Sequence, residues 1–575
     1  EELNRLKGLI STHRLVTVVG PGGMGKTRIA IAAAAKRTNT WMIRLESVRE
    51  DEEVAAALLS RLGVESRGNP LMSAAAALRQ SQALLILDNC EHVIDASAEL
   101  AATLLAETDA TVLATSREPL RVPGERVVSL GPMEPTGAVA LYRDRAMSVN
   151  PSFASPDDEI TKLCSRLDYM PLAIEMAAAR SMALRPSQIE ERLERRYGLL
   201  DTPRRGETKR HQSLDDMVAW SYDLLDEPSK LIFQRLSVMS DAFDTVTATT
   251  IAGFGEVDPD HVPATVADLV ERSMLQPTDH PDEVQMLGVI KSFARSQLET
   301  SGDRHSARRR HARRMGEIAR EIARGMAGPD EALWIDLANR VVSDLASALG
   351  WSVNEGDLDS AGMILEGLFD WFYHRQPPAI VDWGEKVMPA AVGHECYPLA
   401  CAWAALAAMK RADLRSAQEL AKTGIEVEET TTSRFAWFMA GDIACYLGQL
   451  DRALDAYDRQ LVRASAANDD IGVIDATGGQ VLALAYQGFY DRALAIAQGM
   501  KQAASRIEAP TYLAYADYAY GEALLDTDLP EATRYLENAI SRSRSVNNRF
   551  IEGMALTTLG SALGLQGDYE RALSA

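Results

Sequence analysis

The sequence predicts two kinds of architecture in one chain: an α/β layer on a parallel sheet at the start, and an all-α repeat array over the second half. Three observations carry this. Short apolar runs alternate with helix-forming stretches through the first 135 or so residues, the pattern of parallel strands covered on both faces. A glycine-rich loop, GPGGMGKT, separates the first apolar run from a strong helix former. In the second half a helix–turn–helix pattern recurs about every 40 residues.

The strand candidates come in order as VTVV at Val16–Val19, TWMIRL (40–45), ALLILD (83–88), ATVLATS (110–116) and RVVSL (126–130). About five strands is an ordinary sheet. The 575 residues allow roughly three or four domains. The net charge of −22 speaks against an extended nucleic-acid surface. The five cysteines share no CxxC spacing, which reads as reduced, buried thiols. No apolar run reaches the roughly 18 residues of a membrane span, and no signal peptide opens the chain. A cytoplasmic protein without membrane contact is the expectation. The chain starts without Met and stops at Ala575 inside a helical pattern, so a piece of a longer protein is expected.

The loop carries the chemistry. Strand, glycine loop and helix is the context that GxxxxGK[ST] requires. Gly20, Gly22, Gly23 and Gly25 allow a tight turn whose N–H groups converge on phosphate oxygens, and the following helix adds its positive end. Lys26 would reach the β- and γ-phosphates, and the Thr27 hydroxyl would ligate Mg²⁺. Arg28 follows directly and is placed with the nucleotide-binding set. Asp88 closes a fully apolar run, where a carboxylate holds Mg²⁺ in P-loop ATPases. Asn89 follows it, so no acid stands beside Asp88 to activate water. Glu91 is the nearest base candidate, or else a solvated helix-start residue. Arg117, just past ATVLATS, either senses the γ-phosphate or pairs with Glu118 or Glu125 on the surface.

VTVVGPGGMGKTRIA, LLILDNCEHV, ATSREPL, LCSRLDYMPLAIEMAAAR and WSYDLLDEPSKLIFQRLSV together resemble the NB-ARC-type signal-transduction ATPases with numerous domains (STAND). The resemblance is greatest to modules of large bacterial transcriptional regulators of the SARP and LuxR types. It covers roughly residues 1–300, with helical repeats following. It implies ATP or ADP with Mg²⁺, Lys26 and Thr27 as Walker A residues, Asp88 as the Walker B acid and Arg117 as the sensor. It also implies that Pro171 packs on adenine from a helical lid, although Tyr169-Met170 stands where the family usually has Gly-Leu. The family's Met-His-Asp triplet corresponds to Met286-Leu287-Gly288, and Leu cannot donate a hydrogen bond. The ADP lock of the wider class is therefore in doubt.

The resulting organisation is an α/β P-loop NTPase domain (1–135), a helical lid (136–205), a winged helix (206–300), a basic helical linker (301–345) and an all-α TPR-like superhelix (346–575). TPRRGETKR (202–210) reads as a hinge. The would-be recognition helix, PATVADLVERSML, is poor in cations, so packing rather than DNA contact is expected of the winged helix. The basic run from Arg304 to Arg314 is either a solvated helix face or a contact for an acidic partner. In the array, YLGQLDRALDAY, YQGFYDRALAIA, TDLPEATRYL and LQGDYERALSA align on Ala453, Ala493, Ala532 and Ala572, and two earlier units on Ala361 and Ala417. WFMAGDIACY (437–446) would either line the groove of the array or belong to its core.

Two functions fit. One is a slowly ATP-hydrolysing switch that opens and self-associates, with the repeats sensing a ligand or partner and DNA met only through an effector domain outside this sequence. The other is a nucleotide-bound scaffold that never turns over.

Overall fold

The structure, a computed structural model, describes residues 2–574 apart from 36, 38, 46–47, 49–51, 65–68, 80, 198–216, 279 and 428–432. It divides into two compact units, Glu1–His311 and Ala312–Ala575.

The first unit opens on a five-stranded parallel sheet in the order β2-β3-β4-β1-β5. The strands are β1 (Leu15–Val19), β2 (Thr40–Arg44), β3 (Leu84–Asp88), β4 (Thr111–Ser116) and β5 (Arg126–Ser129). β3 is buried along its whole length, which is why it reads as an unbroken apolar run rather than an alternating one. Each such side chain contributes about 1.5–3 kcal/mol on burial. β1 lies between β4 and β5, so the loop after it leaves from the middle of the sheet, where open α/β sheets bind ligands.

Four helices follow: Pro135–Val149, Asp157–Arg166, Pro171–Ala178 and Pro186–Tyr197. Pro171 opens its helix at the first position, where its missing N–H costs nothing. That helix stops at Ala178, and the Arg180 guanidinium donates to the Met176 carbonyl. Asp168 and Tyr169 both hold positive φ, 49° and 52°, so Tyr169 occupies a conformation that a glycine would adopt freely. The hinge expected at 202–210 and the boundary at 205 lie outside the described residues.

The rest of this unit packs the helices Glu227–Leu236, Thr245–Ala252, Val262–Glu271 and Gly288–Ser301 with a small antiparallel sheet. Its order is β6 (Phe243–Asp244), β8 (Glu283–Gln285), β7 (Gln276–Pro277). Within it β7 and β8 form an antiparallel hairpin. Arg235, 2% exposed, ties the group together. It bonds Asp303 at 2.6 and 2.9 Å and the carbonyls of Ala252 and Phe254 at 2.7 and 2.8 Å.

The basic run lies on the helix Arg304–Met326. Several of its cations are matched within the chain. Arg304 meets Glu299 at 2.7 Å, Arg314 meets Glu321 at 2.8 Å, and Arg310 lies over the Phe254 ring at 4.8 Å. Arg304, Arg309, Arg310 and Arg313 are exposed, whereas His311 and Arg314 are buried, so only part of the run is a solvated face.

The second unit is helical hairpins throughout. The aligned small residues Ala361, Ala417, Ala453, Ala493 and Ala532 are all fully buried at helix crossings. The glycines five residues before three of the repeat alanines, Gly448, Gly488 and Gly567, hold φ of 71°, 83° and 84°, the left-handed turn that ends a helix. Trp437 and Phe438 are buried and Tyr446 is half exposed, so most of that aromatic stretch is core. The array also bonds across long sequence separations. Glu331 accepts from the Thr511 amide at 2.8 Å, from its hydroxyl, and from Arg375. Arg375 also reaches the Val546 carbonyl at 3.3 Å. All five cysteines are free thiols. Among the described residues, no helix is long and apolar enough to cross a membrane.

Candidate functional site: the loop after β1

The sequence folds the loop as its motif requires. Gly23 and Gly25 hold φ of 78° and 84°, which side-chain-bearing residues rarely adopt. The helix Lys26–Ala34 starts at once, with Gly25 at its N-cap and no side chain blocking the first amides. Lys26 is 8% exposed, and its Nζ donates to the carbonyls of Gly20 and Pro21 at 2.8 and 3.1 Å. Burial lowers its pKa, opposed chiefly by Glu91 and then Asp88, while Arg117 adds to the lowering. One lysine thus sits in the field of three of the residues expected to act with it.

Asp88, at the end of β3, accepts from Thr27 Oγ1 at 2.7 Å and from Thr115 Oγ1 at 2.6 Å. The Thr115 hydroxyl in turn accepts from the Asn89 amide at 2.9 Å. Thr27 and Asp88 are hard oxygen donors side by side, the chemistry that suits Mg²⁺. Glu91 lies on a short turn of 3₁₀ helix, Cys90–His92. Its side chain is 9% exposed, so it is not a solvated helix-start residue. It pairs with Arg117 at 3.1 Å, and its second oxygen, Oε2, is buried with no hydrogen bond among the described residues. Arg117 therefore meets Glu91 rather than Glu118 or Glu125. Those two serve Arg121 and the 120–121 amides. Cys90 beside them is pushed up to about 12, mainly by burial.

Two further segments reach the loop. The Leu172 amide donates to the Gly23 carbonyl at 3.3 Å, which brings Pro171 to the loop's edge. Three residues on, Glu175 (8% exposed) takes Arg28 at 2.8 Å and Arg145 at 3.2 Å. From the other side, a Cβ built on Gly22 would stand 2.6 Å from Val289 Cγ2. The segment Met286-Leu287-Gly288 thus arrives at the loop, but with an apolar contact in place of a hydrogen bond. Thr115, Glu175 and Val289 were not singled out from sequence. An acid inside PLAIEMAAA was a signal for Glu175, and the Thr of TSR for Thr115, whereas nothing local marked Val289.

This fold and loop define a class. The structure superposes on the crystal structure of the signal transduction ATPase with numerous domains (STAND) protein with a tetratricopeptide repeat sensor PH0952 from Pyrococcus horikoshii. The TM-score is 0.60 over 99% of this chain and 81% of that one, at 15% identity, so the fold is shared. The chain belongs to the family of the Mycobacterium tuberculosis protein called Uncharacterized protein Rv0894. They are 30% identical over 342 residues, 57% of this chain and 87% of that protein. It is also 32% identical over 398 residues to the M. tuberculosis "Putative HTH-type transcriptional regulator Rv0890c", covering 67% of this chain and 45% of that protein. The chain thus spans about half the length of such regulators. No family model matches it.

Proposed function

We propose that this chain is the nucleotide-dependent switch of a larger transcriptional regulator. The observation that carries the reading is the convergence of Lys26, Thr27, Asp88, Glu91 and Arg117 on one loop that two other segments touch. Regulators among its relatives and the STAND-like fold support it. ATP or ADP would lie along the loop with Pro171 against the base.

The geometry supports one division of labour. The loop amides and Lys26 bind the β- and γ-phosphates. Thr27 and Asp88 hold Mg²⁺, which supplies positive charge against the phosphates when bound. Thr115 fixes the Asp88 carboxylate through its short hydrogen bond. Glu91 accepts a proton from attacking water only after Arg117 turns from it toward the γ-phosphate. A base held in an ion pair is a poor base, so turnover is slow. Arg28, Arg145 and Glu175 hold the lid helix down on the loop. The winged helix, as the 206–300 segment is read, packs on the loop through Val289 rather than on DNA. Opening of these contacts frees the chain to self-associate in the cytoplasm, and the effector domain meets DNA.

The second reading is a nucleotide-bound scaffold without turnover. The Glu91–Arg117 pair favours it if it never opens. The test is the nucleotide content of the purified protein, followed by single-turnover phosphate release with Mg-ATP. Retained ADP with slow release supports the switch. Retained ATP without release supports the scaffold. Lys26→Ala should weaken ATP binding at least about a hundredfold (about 2.7 kcal/mol), and unchanged affinity would remove the site altogether.

A further inference from the structure

The second unit holds a cleft lined by more positive than negative charge. It measures about 210 Å³ and lies among the helices Tyr490–Ile507, Pro510–Leu524 and Leu529–Ser545. Lys501, Arg534 and Arg542 line it against one carboxylate, Asp517. That balance is local, since the chain as a whole carries −22. Lys501 is held in place but not paired with an acid. Its Nζ donates to the Tyr535 hydroxyl at 2.6 Å and lies 4.0 and 4.8 Å from the ring centres of Tyr535 and Tyr520. Among the described residues no carboxylate stands within ion-pair distance of it.

The other groups are only partly spent. Asp517, 7% exposed, takes Arg542 Nε at 3.0 Å. The two terminal nitrogens of Arg542 have no partner among the described residues. Arg534 gives two of its nitrogens to Glu531, Nε at 2.9 Å. The Ser505 hydroxyl and the Asn538 side-chain amide also line the cleft, with no hydrogen bond among the described residues. Burial raises the Asp517 carboxyl, while Arg542, Lys501 and Arg534 oppose that. The one acid of the lining is thus taken. Lys501, Arg542, Ser505 and Asn538 keep donors that the chain does not use, and Leu513 and Ala516 add apolar wall.

We propose that this cleft binds a small dianionic oxyanion, a phosphate monoester or a dicarboxylate, with its oxygens on Lys501 and Arg542 and its carbon part against Leu513 and Ala516. Ammonium and guanidinium donors on an oxyanion make charge-assisted hydrogen bonds, and a planar guanidinium can meet two oxygens at once. A cation is excluded by the excess of positive charge. The volume falls below the roughly 300–1,000 Å³ of pockets for drug-sized ligands, so the guest is small. The proposal rests on the repeats being the sensing half of the switch. Its test reads binding directly, with the loop after β1 occupied by Mg-ADP, and locates it by substitutions in the array, so the two readings fail separately.

The experiment is calorimetric titration of the 575-residue chain, saturated with Mg-ADP at pH 7.5, with glycerol 3-phosphate, inorganic phosphate and succinate. Ethanolamine is the cationic control. At least one dianion should bind with Kd in the micromolar to sub-millimolar range, and ethanolamine should not. Binding of the phosphates alone makes the guest a phosphate monoester, and binding of succinate alone makes it a dicarboxylate; either supports the proposal. Asn538→Asp places a charge of the wrong sign in the cleft and breaks no bond, so it should weaken binding at least about tenfold. Lys501→Gln should do the same. Thermal melts check that the variants keep the fold, and where one melts below wild type the other decides. No dianion binding at roughly 10 mM, or wild-type affinity in the folded variants, or equal binding of ethanolamine, overturns the proposal.

Discussion

Gly22→Ala offers a direct test of the contact between the Gly20–Thr27 loop and the Gly288–Ser301 helix. Gly22 does not hold a positive φ, so its backbone accepts alanine. What forbids the side chain is Val289, whose Cγ2 would stand 2.6 Å from the new Cβ. Ordinary carbon–carbon contact is about 3.5–4.0 Å, so the helix must retreat by nearly an ångström or Val289 must leave its rotamer. Overpacking of this kind costs about 1–3 kcal/mol, a factor of roughly 5–150 in the docking equilibrium. Amide hydrogen exchange along Gly288–Ser301 should accelerate by that factor in Gly22→Ala. Val289→Ala alone should change it little, and Gly22→Ala/Val289→Ala should recover most of the protection. That non-additivity is the signature of direct contact. Equal exchange in Gly22→Ala and wild type, or no recovery in the double variant, would refute the reasoning.

Other consequences can be measured alongside. Thr115→Val removes the 2.6 Å bond to Asp88 and the acceptor of the Asn89 amide. It should destabilise by about 1–3 kcal/mol in urea unfolding and lower the affinity for Mg-nucleotide. Arg235→Met strands Asp303 and two carbonyls. Because Asp303 is one-quarter exposed, the loss should be about 2–4 kcal/mol, seen as a lower Tm of the first unit. In the array, burial and then Asp469 raise the Asp370 carboxyl from 3.8 to about 6 against the opposing Arg434. A raised acid contributes its stability below about pH 4 and loses it as pH rises through about 6. Between pH 4 and 7 the wild type should lose on the order of 2 kcal/mol that Asp370→Asn does not, and parallel pH profiles would contradict this.

The fold was legible where the signal was periodic or punctuated. The five strands stand within a residue of their apolar runs because each run is bounded by glycine, polar residues or a helix former. The array announced itself through alanines that are fully buried at five of the six aligned positions and glycines that take positive φ. Lys26, Thr27 and Asp88 were legible because one motif fixes all three. The partner of Arg117 was not, since Glu91 lies 26 positions away and only the β3–β4 pairing makes them neighbours. Val289 was invisible for the same reason. Its significance lies in which segments meet, and no local pattern encodes that.

The bonds from Glu331 to Thr511, 180 positions apart in sequence, change what kind of object the repeat array is. A stack joined only through adjacent hairpins frays from either end and melts piecemeal. Here an early helix is fastened to a late one, so the Glu331 helix cannot leave without breaking a buried ion pair, nor the Pro510–Leu524 helix without breaking its bonds to a buried carboxylate. The segment from 331 to 546 should therefore melt in one cooperative step with a single large m-value, and its distant pairing should make it slow to fold. A disturbance at any one hairpin is then felt around the whole closed circuit.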